Sequence, residues 1–542
     1  MLLRADREAV LFDNVMPRHG ASLLRPAYVV ATLAMGWIAR TRSHSAGGFL
    51  NASRSLPLPI VVASFLAANC GALEVIGLSA MAAQYGVQAM HFYAVGAIPA
   101  IIFLALWMMP VYRRSRIVSV PEYLEKRFDK RVRLLYACIV AITLLLLGGI
   151  SLYALAQVLQ VAAGLNFAEG ITLSAAVVLA YILLGGLRAT IYNEVFQLAL
   201  MIAGLAPLAL RSRRVALAVR AQGHGSAAHL WSALPFASTQ APMDKLGLLL
   251  GLGFVLSFGY WCTDFVLMQR AFTARTDEDA RQVPLWAGFG KLCFSLLVIL
   301  PGLAAGALFP ALSRSQHFDQ ALPQLMVHEY GPMMLALGMT AIVATLMSSL
   351  AANVSAFAAV ATHDVYRAQL APDASDSQTL RAGRYVLISG ILISLAASYL
   401  NFLFHNLMEH VQLIFSVFAA PFWAVFLLGM GPRRANARGA LAGFFAGTGI
   451  ALLHLIATAR GWLHYGSNMT ANFHVAIYAF TAALLTGWLA SGSPTPPLGT
   501  PANTGPLVFE WRAAWTGPGW RPLWILSLLL AAACLAINVA WR

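Results

Sequence analysis

The 542-residue chain is 59% hydrophobic and only 11% charged, with a mean hydropathy of +0.71. That balance excludes an ordinary soluble domain, in which about a quarter of the residues are charged. The formal net charge of +15 would suit a polynucleotide, but the charge lies in connections between apolar runs, where a basic cytoplasmic collar accounts for it and no nucleic-acid partner is expected.

Apolar runs of about 18 residues or more read as membrane-spanning helices, because about 30 Å of hydrocarbon needs about 20 residues of helix. Fourteen are expected, at 24–41, 57–83, 85–112, 132–162, 169–188, 190–210, 243–269, 284–310, 333–362, 380–405, 407–431, 437–459, 470–492 and 520–541. The first is crowded at its start by Arg25 and Pro26. The second contains AANCGALEVIG, where Asn69 and Gly71 resist continuous helix and the carboxylate of Glu74 falls near the middle of the run. After the third span, residues 113–133 carry eight Lys and Arg. Placing both termini outside puts this loop in the cytoplasm, as the excess of basic residues in cytoplasmic loops requires. The segment RSRRVALAVR at 211–220 runs against the rule and is read as part of a long external loop, 211–242.

No soluble domain is expected between the spans. The longest connections are 211–242, 311–332, 363–379 and 493–519, and the last is a Pro/Gly-rich linker. Cys70, Cys138, Cys262, Cys293 and Cys534 all fall within spans, without disulfide or zinc spacing. The polar first twenty residues give no expectation of a cleavable signal peptide. Function is therefore sought inside the bundle, where ionisable residues are costly and mark pathways or binding sites. The candidates are Glu74, His91, Glu194, Asp264 and Lys291. For the last four, a side chain snorkelling to the interface is the competing explanation. Mid-span Glu74 has no such route.

In the ninth span, ATLMSSLAANVSAF at 344–357 sets Thr345, Ser348 and Ser349 on one helical face. Such hydroxyls serve close helix packing and bond back to the i−4 carbonyl. Alternatively, they combine with carbonyls freed at a helix break, for which AANCGA is the best candidate, to hold a dehydrated cation. An enzyme is not expected. H-E-x-x-H is missing, and HNLMEH places His405 and His410 on different helix faces.

Five phrases in order carry a resemblance: FLNASRSLP at 49–57, SVPEYLEKRF at 119–128, LGGLRATIYNEVFQ at 184–197, Tyr260-Trp261 followed by Gln269-Arg270, and SSL at 348–350 leading into THDVY at 362–366. Together they resemble the sodium:solute symporters, whose members include the sodium/glucose cotransporters. The resemblance implies an all-α polytopic fold of the leucine-transporter type. Residues 57–210 and 243–431 would form its five-plus-five inverted repeat, with one extra helix (24–41) before and three (within 437–541) after. The substrate would lie at midplane beside breaks in 57–83 and 243–269.

The same resemblance implies sodium ligands at the carbonyls of Ala67, Cys70 and Thr345 and the hydroxyls of Ser348 and Ser349. Ala351 stands where relatives with a second sodium carry a hydroxyl, which implies a single ion, and Glu194 would belong to the ion exit path. Sugar-contacting positions fall on Asn69, Glu74, Tyr93, Tyr260, Trp261, Lys291 and Gln412. Glu74 replaces a glutamine and Tyr93 a glutamate, with Lys291 as the electrostatic partner of Glu74. Tyr260 would stack on the substrate as an inner gate. Asp264 replaces an asparagine, without a role. The expected function is sodium-coupled import of a small polar solute, a sugar, by a monomer in the inner (plasma) membrane. An amino acid or other amine or carboxylate carrier is the alternative, and a transport-fold sensor is the reading from another class.

Overall fold

The computed structural model describes residues 56–117, 119–221, 229–231, 234–315, 318–403, 407–431, 435–492, 511–515 and 519–541. The expected helix at 24–41 and most of the 493–519 linker lie outside them. Among the described residues ten helices are long and apolar enough to cross a membrane, or up to twelve if each of two bent pairs counts as one span.

The first bent pair is α1 (Leu58–Asn69) and α2 (Leu73–Met90), which meet at 57°. Pro57 precedes α1, and Cys70 leaves helical geometry at its end. The break falls within AANCGA, as its poor helix formers imply. Gly71 fits there for a steric reason: a Cβ on it would lie 2.5 Å from Ser349 Oγ. The second pair is α7 (Gly247–Thr263) and α8 (Phe265–Ala271), meeting at 48°. Asp264 between them is extended, and its carboxylate accepts the Leu267 N–H at 2.9 Å. This residue, without a role in the sequence, is the N-cap that starts α8.

The remaining long elements are α3 (Phe92–Arg114), α5 (Lys130–Ala163), α6 (Phe167–Ala221), α9 (Asp277–Leu308), α11 (Pro332–Leu370), α12 (Asp376–Phe402), α13 (Leu407–Met430), α14 (Ala437–Ala459), α15 (Asn468–Ala490) and α16 (Trp520–Ala540), with the short α4 (Val120–Arg127) and α10 (Ala321–Glu329) between them. Ser119 and Asp129 cap α4 and α5 through their side chains. On α14, Gly439, Gly443 and Gly447 recur every fourth residue against α15. A Cβ on Gly443 would lie 2.5 Å from the Ala483 carbonyl, so the absent side chain sets the approach of the two helices.

Two expectations are corrected in α6. The chain is helical through all 55 residues, without the expected interruption near 189, and the arginine-rich 211–220 is helix rather than loop. Arg, Ala and Leu are good helix formers, and the next break in composition comes after Ala221. Along it Gly170 packs on Ala156 towards the end of α5, Glu194 pairs with Arg270, and Arg211 donates to the Glu329 carbonyl. Within it Ile191–Val219 is long and apolar enough to cross a membrane, and Phe167–Ala180 is a shorter apolar stretch.

Candidate functional site

A cavity lies between the two broken helices. Asn69 and Glu74 reach it from either side of the first break, Tyr260 and Trp261 from α7, Tyr93 from α3, Lys291 from α9 and Gln412 from α13. The structure thus brings all seven expected substrate positions to one wall. Ser257, one turn before Tyr260, and Phe415 also line it. Sequence reasoning missed both, although the spacing of Ser257 from Tyr260 was a usable signal.

The charges in this cavity are matched. Lys291 Nζ is 2.9 Å from Glu74 Oε1, and the Tyr93 hydroxyl donates to Glu74 Oε2. Lys291 also donates to the Asn69 carbonyl at 3.2 Å, one of the groups the break releases. Its ammonium lies 5.6 Å and 5.8 Å from the ring centres of Tyr93 and Trp261, close enough for cation–π attraction. The Lys291 side chain is 1% exposed and that of Glu74 16%, so Lys291 does not snorkel and Glu74 keeps a face on the cavity.

Two polar atoms in the same wall are unmatched. Asn69 Oδ1 and Gln412 Oε1 are buried without a hydrogen-bond partner. The Asn69 amide donates to the Tyr260 hydroxyl at 2.6 Å, and that ring stacks on Phe415 with centroids 5.3 Å apart. Tyr260, which lines the cavity, is therefore held by one hydrogen bond and one stacking contact.

The first break also meets the hydroxyl face of α11. Gly71 abuts Ser349, whose hydroxyl accepts from Ser151 at 3.1 Å. Thr345 bonds back to the Ala341 carbonyl at 2.8 Å, as the packing explanation holds, while Ser348 Oγ is buried without a partner. At the break itself, the Cys70 N–H is shared between the Leu66 and Ala67 carbonyls. The five expected ion-ligand residues, Ala67, Cys70, Thr345, Ser348 and Ser349, are all buried and belong to these two adjoining segments.

The other ionisable residues stand apart from the cavity. Glu194 is sealed in protein, paired with Arg270 at 2.6 Å and accepting from the Ser64 hydroxyl, so one carboxylate ties α6 to both α1 and α8. Interfacial snorkelling does not describe it. His91 packs edge-on against Trp231 and contacts the Leu230 carbonyl at 2.9 Å.

A sequence profile of the sodium:solute symporter family matches residues 49–447. The mouse sodium/glucose cotransporter 1 is 26% identical over 472 residues, covering 79% of this chain and 70% of its own. The sodium/glucose cotransporter of Vibrio parahaemolyticus is 25% identical, over 78% of this chain and 83% of its own. Among solved structures, a sodium-coupled sialic acid symporter in a substrate-bound, outward-open state superposes with a TM-score of 0.73 at 19% identity, covering 87% of this chain and 98% of that one, a likeness of fold. Through the profile, which takes in both broken helices and the whole cavity wall, this multi-pass membrane protein belongs to the sodium:solute symporter family.

Proposed function

We propose that the protein imports a neutral sugar or a similar polyol, driven by one sodium ion per cycle. The observation that carries this reading is the charge balance of the cavity. Glu74 is already neutralised by Lys291, whereas two amide oxygens, Asn69 Oδ1 and Gln412 Oε1, are buried and lack donors. Each such orphan costs about 1–3 kcal/mol until a donor arrives. A ring of hydroxyls supplies donors without bringing a net charge, and the aromatic faces of Tyr260 and Trp261 suit the apolar face of a pyranose. An ammonium or carboxylate substrate would have to displace an existing ion pair first.

In this reading sodium sits between the Ala67, Cys70 and Thr345 carbonyls and the Ser348 and Ser349 hydroxyls. It holds the broken α1/α2 pair against α11, and thereby holds Asn69 and Glu74 in the cavity wall. Ion and sugar each complete a site that the other shapes, which is the differential contact that coupling requires. The two broken helices would be equivalent members of a five-plus-five inverted repeat, with alternating access between its halves. The basic loops face the cytoplasm and both termini face outside, in the plasma membrane. One charge moving down 100 mV supplies about 2.3 kcal/mol before any sodium gradient is added.

The discriminating experiment is uptake into proteoliposomes of labelled D-glucose, D-mannose and myo-inositol beside alanine, proline and choline. Sodium-stimulated uptake confined to the hydroxylated neutral solutes is the expected result. Uptake of an amino acid or amine, with none of the three polyols transported, would contradict the charge argument.

A further inference from the structure

The Ser349 hydroxyl has two close neighbours. One is the first break, where a Cβ on Gly71 would lie 2.5 Å from it. The other is Ser151 of α5, whose hydroxyl oxygen is 3.1 Å away. Both serines are buried, so protein groups set their hydrogen bonds. Ser151 Oγ also lies 3.0 Å from the Leu147 carbonyl, one turn back on α5. A hydroxyl has one hydrogen to give and two lone pairs to accept with, so Ser151 donates to Leu147 or to Ser349 but not to both. The backbone that carries it is pinned to α12: Ser394 donates to the Leu145 carbonyl at 3.2 Å, and a Cβ on Gly148 would lie 2.6 Å from Ser394 Oγ. Ser151 is thus a polar group on a tightly packed turn, aimed at one of the expected ion ligands.

We propose that Ser151 is a positioning residue for sodium binding, which orients the Ser349 hydroxyl so that its lone pairs face the ion. The inference rests on the ion reading above and adds to it a residue from a third helix, α5. Ser348 Oγ, buried without a partner in the same turn of α11, leaves an acceptor open, as a cation site needs. A cation beside Ser349 Oγ attracts its lone pairs and repels its hydrogen, so that hydrogen needs an acceptor elsewhere. Ser151 Oγ is that acceptor once its own hydrogen goes to the Leu147 carbonyl. The chain from Ser349 to Ser151 to Leu147 then leaves both lone pairs of Ser349 free for the ion. In the opposite direction Ser151 occupies one of those lone pairs, and the Ser349 hydrogen is left without this acceptor. Sodium therefore selects one direction of a two-hydroxyl relay, and the relay holds Ser349 in its ligating orientation.

Ser151→Cys nearly keeps the shape of the side chain and replaces its oxygen with a weak acceptor. Ser151→Ala is read beside it, so a folding defect in one variant does not decide the outcome. The assay uses the full chain in detergent, without sugar, and measures the unfolding temperature as sodium chloride replaces choline chloride. The sodium concentration giving half of the rise reports ion binding independently of transport. Each variant should raise that midpoint roughly three- to tenfold, for one lost hydrogen bond, and keep the unfolding temperature in choline chloride alone. Because Ser151 acts through Ser349, Ser151→Cys combined with Ser349→Ala should be no weaker for sodium than Ser349→Ala by itself. A merely structural role would instead lower the unfolding temperature in choline chloride and add in full to the loss in Ser349→Ala. That additive result, or an unchanged midpoint in both Ser151 variants, overturns the relay while leaving the ion site intact. A Ser349→Ala protein with an unaltered midpoint, or no sodium response from the unaltered protein, overturns the ion reading and the relay together.

Discussion

Glu74→Gln tests the charge balance of the cavity most sharply. With the amide oxygen in the place of Oε1 it still accepts from Lys291, and the NH2 in the place of Oε2 donates to the Tyr93 hydroxyl, so geometry is kept while one charge is removed. Lys291 is then left without a counter-ion in a space where it is 1% exposed. Breaking a buried pair costs about 3–5 kcal/mol, but here the Asn69 carbonyl at 3.2 Å and the Tyr93 and Trp261 rings remain around the ammonium. The expected loss of stability is accordingly smaller, about 2 kcal/mol. Lys291→Met should be worse, because the carboxylate keeps only Tyr93, and the double substitution should cost less than the two singles combined. For a neutral sugar, exchanging a charge-assisted hydrogen bond for a neutral one costs about 1–2 kcal/mol, or roughly a five- to thirtyfold rise in half-saturation. For an ammonium substrate the loss would be about 3 kcal/mol or more, beyond a hundredfold. The assay is concentration-dependent uptake in proteoliposomes, with thermal unfolding of the same preparation as the folding control. Abolished sugar uptake in a normally folded Glu74→Gln protein would refute the reasoning.

The remaining predictions concern the ion, the fold at the bundle ends and orientation. Ser348→Ala and Ser349→Ala should each raise the half-saturating sodium concentration about tenfold, from one lost ligand oxygen worth about 1–1.5 kcal/mol, and Gly71→Ala should do so more strongly because its Cβ would meet Ser349 Oγ at 2.5 Å; sodium titration of uptake checks all three. Asp319, between the spans, has its carboxyl pushed up to about 7 by burial, with Glu409 adding to the rise and the Leu407 N–H opposing it. A raised carboxyl favours the fold when protonated, so this contribution is full below about pH 4 and is lost as pH rises towards 7. Asp319→Asn should therefore raise the unfolding temperature at pH 8 by roughly 1–2 °C and leave it unchanged at pH 4. Exposed Ala237 sits in the connection placed outside, so Ala237→Cys in intact cells should react with an impermeant thiol reagent that leaves the unaltered protein unlabelled; labelling from the cytoplasmic side alone would invert the orientation.

What the sequence disclosed depended on whether the signal was local. The first break was legible because Asn69, Cys70 and Gly71 are neighbours that all disfavour helix, and the Glu74–Lys291 pair because two opposite charges in a bilayer need one another. Asp264 was opaque for the opposite reason. Its carboxylate meets the N–H of Leu267 only if the helix has already stopped, and nothing in the flanking apolar residues marks that stop. Hydropathy also misplaced the end of α6, since the arginines of 211–220 read as loop when scored for polarity although they favour helix by propensity. The Glu194–Arg270–Ser64 junction joins residues far apart in the chain, and only the packed bundle shows it.

The central claim, that a sodium gradient drives a neutral sugar through this cavity, has a direct measurement. Proteoliposomes carrying the full chain are loaded without sodium, diluted into sodium chloride with labelled D-glucose, D-mannose or myo-inositol, and followed with and without a sodium-conducting ionophore. The account predicts a transient internal concentration above the external one for at least one of these solutes, abolished by the ionophore and missing when potassium or choline replaces sodium. Accumulation that persists with the sodium gradient collapsed and follows a proton gradient instead would contradict it.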